Sequence, residues 1–513
     1  MRFVARSAET SQTYDVVVAG NGVLGQSLAL TLARRGLRVA LLGHPDRPWA
    51  ASAAAGAMLG CFGEVTEALV SSEYGRTKLD LDVQAKKLWP TWSEELAAES
   101  GQGNVQVANG TTVILNAVGV RGIDDVNYVA IKEELRRYGE PFEDVEPADI
   151  EWLDPDPGSR PQSAFHIPGE HAVNAAMLLE ELAQAYVHAG GTVIAEPAAR
   201  VEYSHGRVTG VVLASGARLA AGHVVLAAGA RSQDLIDTVP EVAPNIPPLI
   251  SGYGLSLLVR TEDGTMPSSV IRTPNRSFAC GLHVLPRSGG DVYIGATNII
   301  SPEPVELPDM GDLQFLIECG QRQVRRSLYN SALRKAQVGN RPVALDGFPL
   351  LGEAGVAGLW MMTGTYRDGL HLSPLLAREM SARILGEQPG VDLEMFRPVR
   401  APIQPASREE IVQSAVTHLV AGGYESGWNV AVSWPLILEK QLRSVFQDLA
   451  DDLDPTLTPP PEVLNAARTN PGLVATLRAY YAASRAHANS ELAPPNGAQA
   501  QGERPLAGAG TPR

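Results

Sequence analysis

Apolar and polar positions alternate along this chain in a pattern that changes period several times, and the first change is the most informative. Three consecutive valines, Val16 to Val18, run into Gly20, Asn21, Gly22 and Gly25. An apolar run with helical spacing follows, and then a second apolar run from Val39 to Leu42. That order predicts strand, glycine turn, helix and strand over Asp15 to Gly43. Helical spacing returns from Tyr74 to Glu99 and from Val129 to Tyr138. Between them, Val105 to Ile114 reads as two short paired strands around Asn109-Gly110, a dipeptide suited to a tight hairpin. The acidic, proline-rich segment from Glu143 to Pro161 reads as solvated surface. A second βαβ-like unit follows, with Asn174 to Gly190 an amphipathic helix ending in a glycine stop signal and Thr192 to Ala195 a strand. A meander follows, ending in the apolar strand Val224 to Ala228 and the small residues Gly229 and Ala230.

From Pro247 to Ala336 the period is mostly two. Strands are expected at Leu255 to Val259, Leu282 to Leu285 and Asp291 to Gly295, with a helix from Gly311 to Leu328. This is an antiparallel sheet with a helix, hence a second domain. Gly358 to Thr363 is a further strand, followed by a glycine turn and a helix from Leu370 to Leu385. Beyond Ala401 the composition shifts, and three stretches carry helical patterns: Glu409 to Leu419, Pro435 to Leu453 and Pro461 to Ala488. Past Asn489 the chain is rich in Ala, Pro, Gly and Gln, the composition of a disordered tail over 489–513.

Bulk composition narrows the function classes. The chain has 513 residues, 44% of them hydrophobic and 19% charged, which suits more than one globular core. A net charge of −15 argues against the broad basic face that nonspecific nucleic-acid binding needs. No run approaches the roughly 20 apolar residues that span a bilayer, and the first residues lack the apolar stretch of a secretory signal. The three cysteines (Cys61, Cys280, Cys319) are far apart with no CxxC pair, so neither a disulfide framework nor a metal site is expected. A cytoplasmic location fits this usage.

The Gly20, Gly22, Gly25 spacing is that of a dinucleotide-binding turn. The first glycine allows the turn, the second lets a pyrophosphate approach the backbone, and the third lets the helix sit close on the strand. Amides at the helix start then face the phosphates. The run Ser52 to Gly56 has almost no side-chain bulk, as a segment needs when a flat group lies against its backbone.

Five segments then carry a resemblance: GNGVLG, SAAAGAML, VVLAAGARS, HVLPRSGGDVYIGATN, and GNRPVALDGFPLLG with TGTYRDGL. In this order they resemble the FAD-dependent D-amino-acid oxidase superfamily, and within it the glycine oxidase and sarcosine oxidase branch. Residues beyond Arg400 fall outside the resemblance. It implies an α/β FAD-binding Rossmann-like domain of the glutathione-reductase type (1–95, 165–238 and 338–400). This would interleave with an α+β antiparallel-sheet substrate domain (96–164 and 239–337), followed by a helical C-terminal extension (401–488). By similarity, FAD contacts fall on Gly20, Asn21, Gly22, Val23, Leu24, Gly25, His44, Ser52, Ala55, Gly56, Met58, Ala228 and Gly229, and again on Gly364, Arg367, Asp368, Gly369 and Leu370. No cysteine lies beyond Cys319, where some sarcosine oxidases attach their flavin, so noncovalent FAD is expected.

The resemblance also assigns the substrate end. Arg341 matches the arginine that holds the substrate carboxylate in glycine oxidase-like enzymes, and a planar guanidinium suits that task. His283 stands where relatives place a pocket-lining tyrosine. With one dinucleotide fingerprint and no second one for NAD(P)H, electrons must come from the organic substrate. The expected activity is oxidation of the C–N bond of a glycine-like or N-substituted amino acid, with O2 reduced to H2O2. Two other readings stand beside it: cleavage of a larger secondary amine in a specialised biosynthetic pathway, and a low-turnover flavoprotein acting as a partner subunit. The extension could simply pack on the core, or it could serve oligomerisation, cover the pocket or dock a partner enzyme.

Two departures mark this chain. The second strand should end in an acid for the adenosine ribose, but Gly43 stands there, with His44 and Asp46 just beyond. Thr365 replaces a histidine common in glycine oxidases. Without the acid the ribose must be held otherwise, by Asp46 or by backbone, and Thr365 together with His283 points to an altered pocket.

Overall fold

A computed structural model describes residues 13–492, except 102–104, 119, 121, 277, 278, 429 and 432. The side chain of Cys280 and residues 493–513 lie outside the described residues; the first four residues of the expected 489–513 tail are not disordered but continue the helix Pro471–Leu492.

The first strand, Thr13–Ala19, is central in a mixed sheet. It pairs in parallel with Val39–Leu42 on one side and with Arg218–Leu226 on the other. Thr192–Ile194 and Leu359–Thr363 extend the parallel set outward on the two sides. Its valines work in alternation, as a strand covered on both faces requires. Val16 and Val18 face the helices Val23–Arg34, Ala175–His188 and Gly369–Ile384 through Leu28, Leu32, Leu178 and Leu375. Val17 and Ala19 face a second layer with Val201, Val211 and Met361. The carboxyl ends of Thr13–Ala19 and Arg218–Leu226 meet at Gly20 and Ala227, which places a crevice at the edge where α/β sheets bind ligands.

A second sheet is built on the long strand Leu249–Arg260, longer than the sequence pattern indicated. Ala332–Ala344 pairs with nearly its whole length, and Val292–Thr297 pairs with its other edge. Ala279–Pro286, Val270–Arg272, Thr111–Asn116 and Pro161–Ile167 continue the sheet outward. The helix Met310–Gln323 covers one face through Leu316 and Cys319, packed on Leu255, Leu257 and Ile294. Four helices of the extension, Arg408–Glu425, Trp434–Leu453, Pro461–Ala467 and Pro471–Leu492, form a third core with Ile250, Val343 and Leu345 of this sheet. The single helix expected from Pro461 to Ala488 is broken at residues 468–470, ahead of Pro471, which cannot continue the hydrogen-bond ladder.

Two local expectations are corrected. The segment around Asn109-Gly110 is not a hairpin: Gln106–Ala108 pairs with His171–Val173, whereas Thr111–Asn116 joins the large sheet between Pro161–Ile167 and Val270–Arg272. The turn instead hands the chain from one sheet to another, with Gly110 at φ +81° and the Asn109 amide donating to Ser268 O. The acidic segment Glu143 to Pro161 is not simply solvated. Its Trp152 is buried, donates Nε1–H to Thr265 Oγ1 and lies under the Arg325 guanidinium.

Candidate active site

A cavity of about 580 Å³ lies between the parallel sheet and the antiparallel sheet. One end is the first βα turn. Gly20 adopts φ +127°, and a Cβ there would stand 2.2 Å from Ala227 O, so only glycine fits. Gly25 does not line the cavity; a Cβ there would lie 1.8 Å from Gly20 O, so its task is close packing of helix on strand. Ser52 reaches across from the small-residue run and accepts the Val23 amide at 3.1 Å.

The missing acid at Gly43 has a steric explanation. A Cβ at residue 43 would meet the Asn21 side chain at 2.4 Å, and Asn21 Nδ2 donates to His44 O at 2.9 Å. Asn21 occupies the space that an acidic side chain would need. Asp46, the acid just beyond, stands outside the lining of the cavity. Arg47 lines the cavity instead, with Nε donating to Asn21 O at 2.8 Å.

The run Ala54, Ala55 and Gly56 forms one wall, with Met58 beside it. Behind it, Arg287 donates to Ala55 O and Gly56 O and lies over the Tyr293 ring, while the Tyr293 hydroxyl donates to Ala54 O. Burial pulls Arg287 down to about 10. His283 stacks on Tyr293, and its Nε2 abuts Gly56 so closely that a Cβ at residue 56 would lie 2.9 Å away. His283 Nδ1 lies 3.0 Å from Gly281 O, which fixes the proton on Nδ1. Burial, reinforced by the Arg272 charge, lowers its pKa to about 4, so it is neutral at physiological pH.

The other end is charged. Arg341 comes from Ala332–Ala344, opposite Gly252 on the paired strand. A Cβ at Gly254 would stand 2.4 Å from Arg341 Nη1, so the glycine makes room for the guanidinium. That Nη1 donates to the carbonyls of Gly252 and Thr297 and to Asn298 Oδ1, all neutral acceptors. Asn298 also donates to the Tyr366 hydroxyl. Nearby, Glu64 pairs with Arg272 at 2.6 Å and accepts from Asn275 Nδ2 at 2.7 Å. Burial alone would raise Glu64, but Arg272, Arg367 and these hydrogen bonds bring it down to about 2. The site therefore presents a guanidinium whose partners among the described residues are neutral and an ionised carboxylate already neutralised by its own arginine.

The helix Gly369–Ile384 points its first turn into the cavity. Asp368 at its N-cap is ion-paired with Lys78 of the long helix Glu73–Ser100, which also reaches Asp82. Burial would lower Lys78, but the two carboxylates hold it above its ordinary value.

Of the residues expected from the sequence, Gly20, Asn21, Gly22, Val23, Leu24, His44, Ser52, Ala55, Gly56, Met58, Ala228, Gly229, His283, Arg341, Arg367, Asp368, Gly369 and Leu370 line this one cavity. Gly364, like Gly25, stands outside the lining; at φ +71° it makes the turn that brings Thr365 and Tyr366 in. Sequence reading missed Glu64, Arg272, Asn275, Tyr366 and Arg47. Neither Cys61 nor Cys319, both buried, lines the cavity.

A cleft with a glycine turn and helix start at one place, a second helix start at another and a bulk-free wall between suits a long cofactor with a pyrophosphate and a flat ring. The family model described as FAD dependent oxidoreductase matches residues 15–383, and the chain belongs to that family. It is an FAD-dependent oxidoreductase, and among the relatives it is similar to are glycine oxidases. Glycine oxidase of Geobacillus kaustophilus (strain HTA426) is 28% identical over 401 residues, spanning 75% of this chain and 96% of that protein. The bifunctional protein ThiO/ThiG of Trichormus variabilis is 26% identical over 409 residues, and there the match covers 79% of this chain but only 57% of the longer relative. Among solved structures, glycine oxidase from Geobacillus kaustophilus superposes with TM-score 0.65 at 24% identity, over 76% of this chain and 99% of that one. Iminodiacetate oxidase from Chelativorans sp. BNC1 gives 0.64 at 19% identity, over 75% and 100%. These likenesses bear on the fold.

Proposed function

We propose that this enzyme oxidises the C–N bond of a small or N-substituted amino acid, with O2 as acceptor and H2O2 as the reduced product. The observation that carries this reading is Arg341, a cation in the cavity whose hydrogen bonds, among the described residues, go to neutral oxygens. A carboxylate on that guanidinium would complete its charge by paired hydrogen bonds. The turn at Gly20 to Leu24, the run Ser52 to Met58 and the start of the helix at Gly369 would hold FAD noncovalently, and when bound it would supply a two-electron acceptor for the hydride of the carbon that bears the amine.

The chain's own residues set the geometry. Arg341 fixes the carboxylate and so the direction of the C–H bond. His283, neutral with its proton on Nδ1, offers the Nε2 lone pair as an acceptor for an amine N–H beside Gly56. Once oxidised, the carbon becomes an imine that water hydrolyses. The amide end of the helix Gly369–Ile384 favours the negative charge that the reduced cofactor gathers.

Anaerobic addition of a panel of glycine, sarcosine and larger N-substituted amino acids tests the reading by loss of the yellow flavin colour. Arg341→Ala is expected to raise KM or the ligand dissociation constant by about 100-fold or more, the cost of removing a charge-assisted bidentate contact. Bound FAD should stay at the wild-type level. Loss of FAD in that variant, or no bleaching by any member of the panel, would overturn the assignment.

A further inference from the structure

The helix Arg408–Glu425 lies beyond the family match, which ends at residue 383, yet it reaches the charged end of the cavity from behind at two points. The first is its last residue. Glu425 Oε1 stands 3.3 Å from Arg276 Nε, and Asp124 pairs with the same guanidinium; the three side chains are 8%, 6% and 3% exposed. Arg276 directly follows Asn275, whose side chain binds both Glu64 and Arg272. The second point is two turns earlier. His418 lies seven residues before Glu425, on the same helix face, within electrostatic reach of Arg367. N-terminal to both points, Ile411, Val412, Ala415 and Val416 of this helix join the apolar cluster against which Tyr366 packs.

We propose that this helix is a positioning element of the substrate site. Through Glu425 it holds the 272–276 segment that carries Arg272 and Asn275, and through its apolar face and His418 it holds the 365–368 segment that carries Tyr366 and Arg367. Glu64 and Asn298 take their partners from these two segments, so the helix sets the shape and charge of the end where Arg341 receives its ligand. The inference rests on the reading of that end as the substrate side. None of these helix residues lines the cavity, so their effect passes through the residues they hold.

The test uses the FAD-loaded full chain and Glu425→Ala. Glycolate, a small carboxylate with no amine to oxidise, is titrated while the flavin absorption is followed, and backbone hydrogen exchange is measured in parallel. The expected result is about tenfold weaker glycolate binding, unchanged FAD content and faster exchange in 272–276 and 365–368. Glu425→Gln keeps the side chain's size and an amide oxygen beside the Arg276 guanidinium and should stay within about threefold of wild type. Unchanged glycolate affinity with extra exchange confined to 408–425 would overturn the proposal, as would equal losses in the Ala and Gln variants. Should glycolate leave the wild-type flavin unperturbed, the carboxylate reading of Arg341 fails and the exchange pattern alone decides the role of the helix. Should Glu425→Ala not fold, His418→Ala is measured by the same two readouts: faster exchange in 365–368 supports the role and none overturns it.

Discussion

His283 shows how burial fixes a protonation state before any substrate arrives. Its pKa, lowered to about 4 from an ordinary 6.5, means that the unfolded chain takes up a proton at this residue before the folded one does. Stability is therefore lost as pH falls from about 6.5 toward 4. Between pH 7.5 and pH 5 this one group costs about 2 kcal/mol, at 1.36 kcal/mol per unit of separation. Urea unfolding of the wild type and of His283→Gln at the two pH values checks this, since the variant should lose less on acidification. At this scale the glycine turn was readable from local sequence, because Gly20 and Gly22 act on their own backbone. Glu64, Arg272 and Asn275 were not. They are brought together across 208 residues by the hydrogen bonds of the folded site, and no local pattern marks them.

Elements show the same divide between local and distant causes. The dipeptide Asn109-Gly110 permits a turn, but which strands flank it is decided by partners at His171–Val173 and Val270–Arg272, far along the chain. The start of the helix Gly369–Ile384 was predicted within a residue because a glycine turn and an apolar period coincide there. What anchors that start was not predicted: Lys78, from the helix Glu73–Ser100, bonds the N-cap residue Asp368 while also reaching Asp82. All three side chains are at most 13% exposed. Lys78→Met would leave the buried Asp368 carboxylate without its cation, beside an Asp82 carboxyl that burial already pushes up to about 8, a loss of about 3–5 kcal/mol by analogy with other broken buried pairs. Denaturant unfolding reads the stability change, and FAD retention on gel filtration shows whether the helix start has moved. A change below 1 kcal/mol would mean that water reaches this cluster.

At the scale of the whole molecule, the extension distinguishes this chain from the glycine oxidase structure that it otherwise covers almost completely. Its helical periods were legible in the sequence, but amphipathic spacing says only that a face is covered, not by what. The structure supplies the answer: Phe446, Leu453, Leu464, Leu477 and Tyr481 bury against one another and against Ile250, Val343 and Leu345 of the large sheet. Val343 and Leu345 follow Arg341 at intervals of two, so the sheet face that carries the arginine continues as the floor of the extension's core. A chain ending at Ser407 would expose that floor next to the site, an apolar patch of the kind that drives aggregation. The expected outcome is a protein that precipitates or elutes as aggregates, and that regains solubility when residues 408–492 are co-expressed as a separate piece. A monodisperse truncated chain with normal FAD content would show instead that the sheet closes over its own apolar face, and that the extension is an addition rather than part of the core.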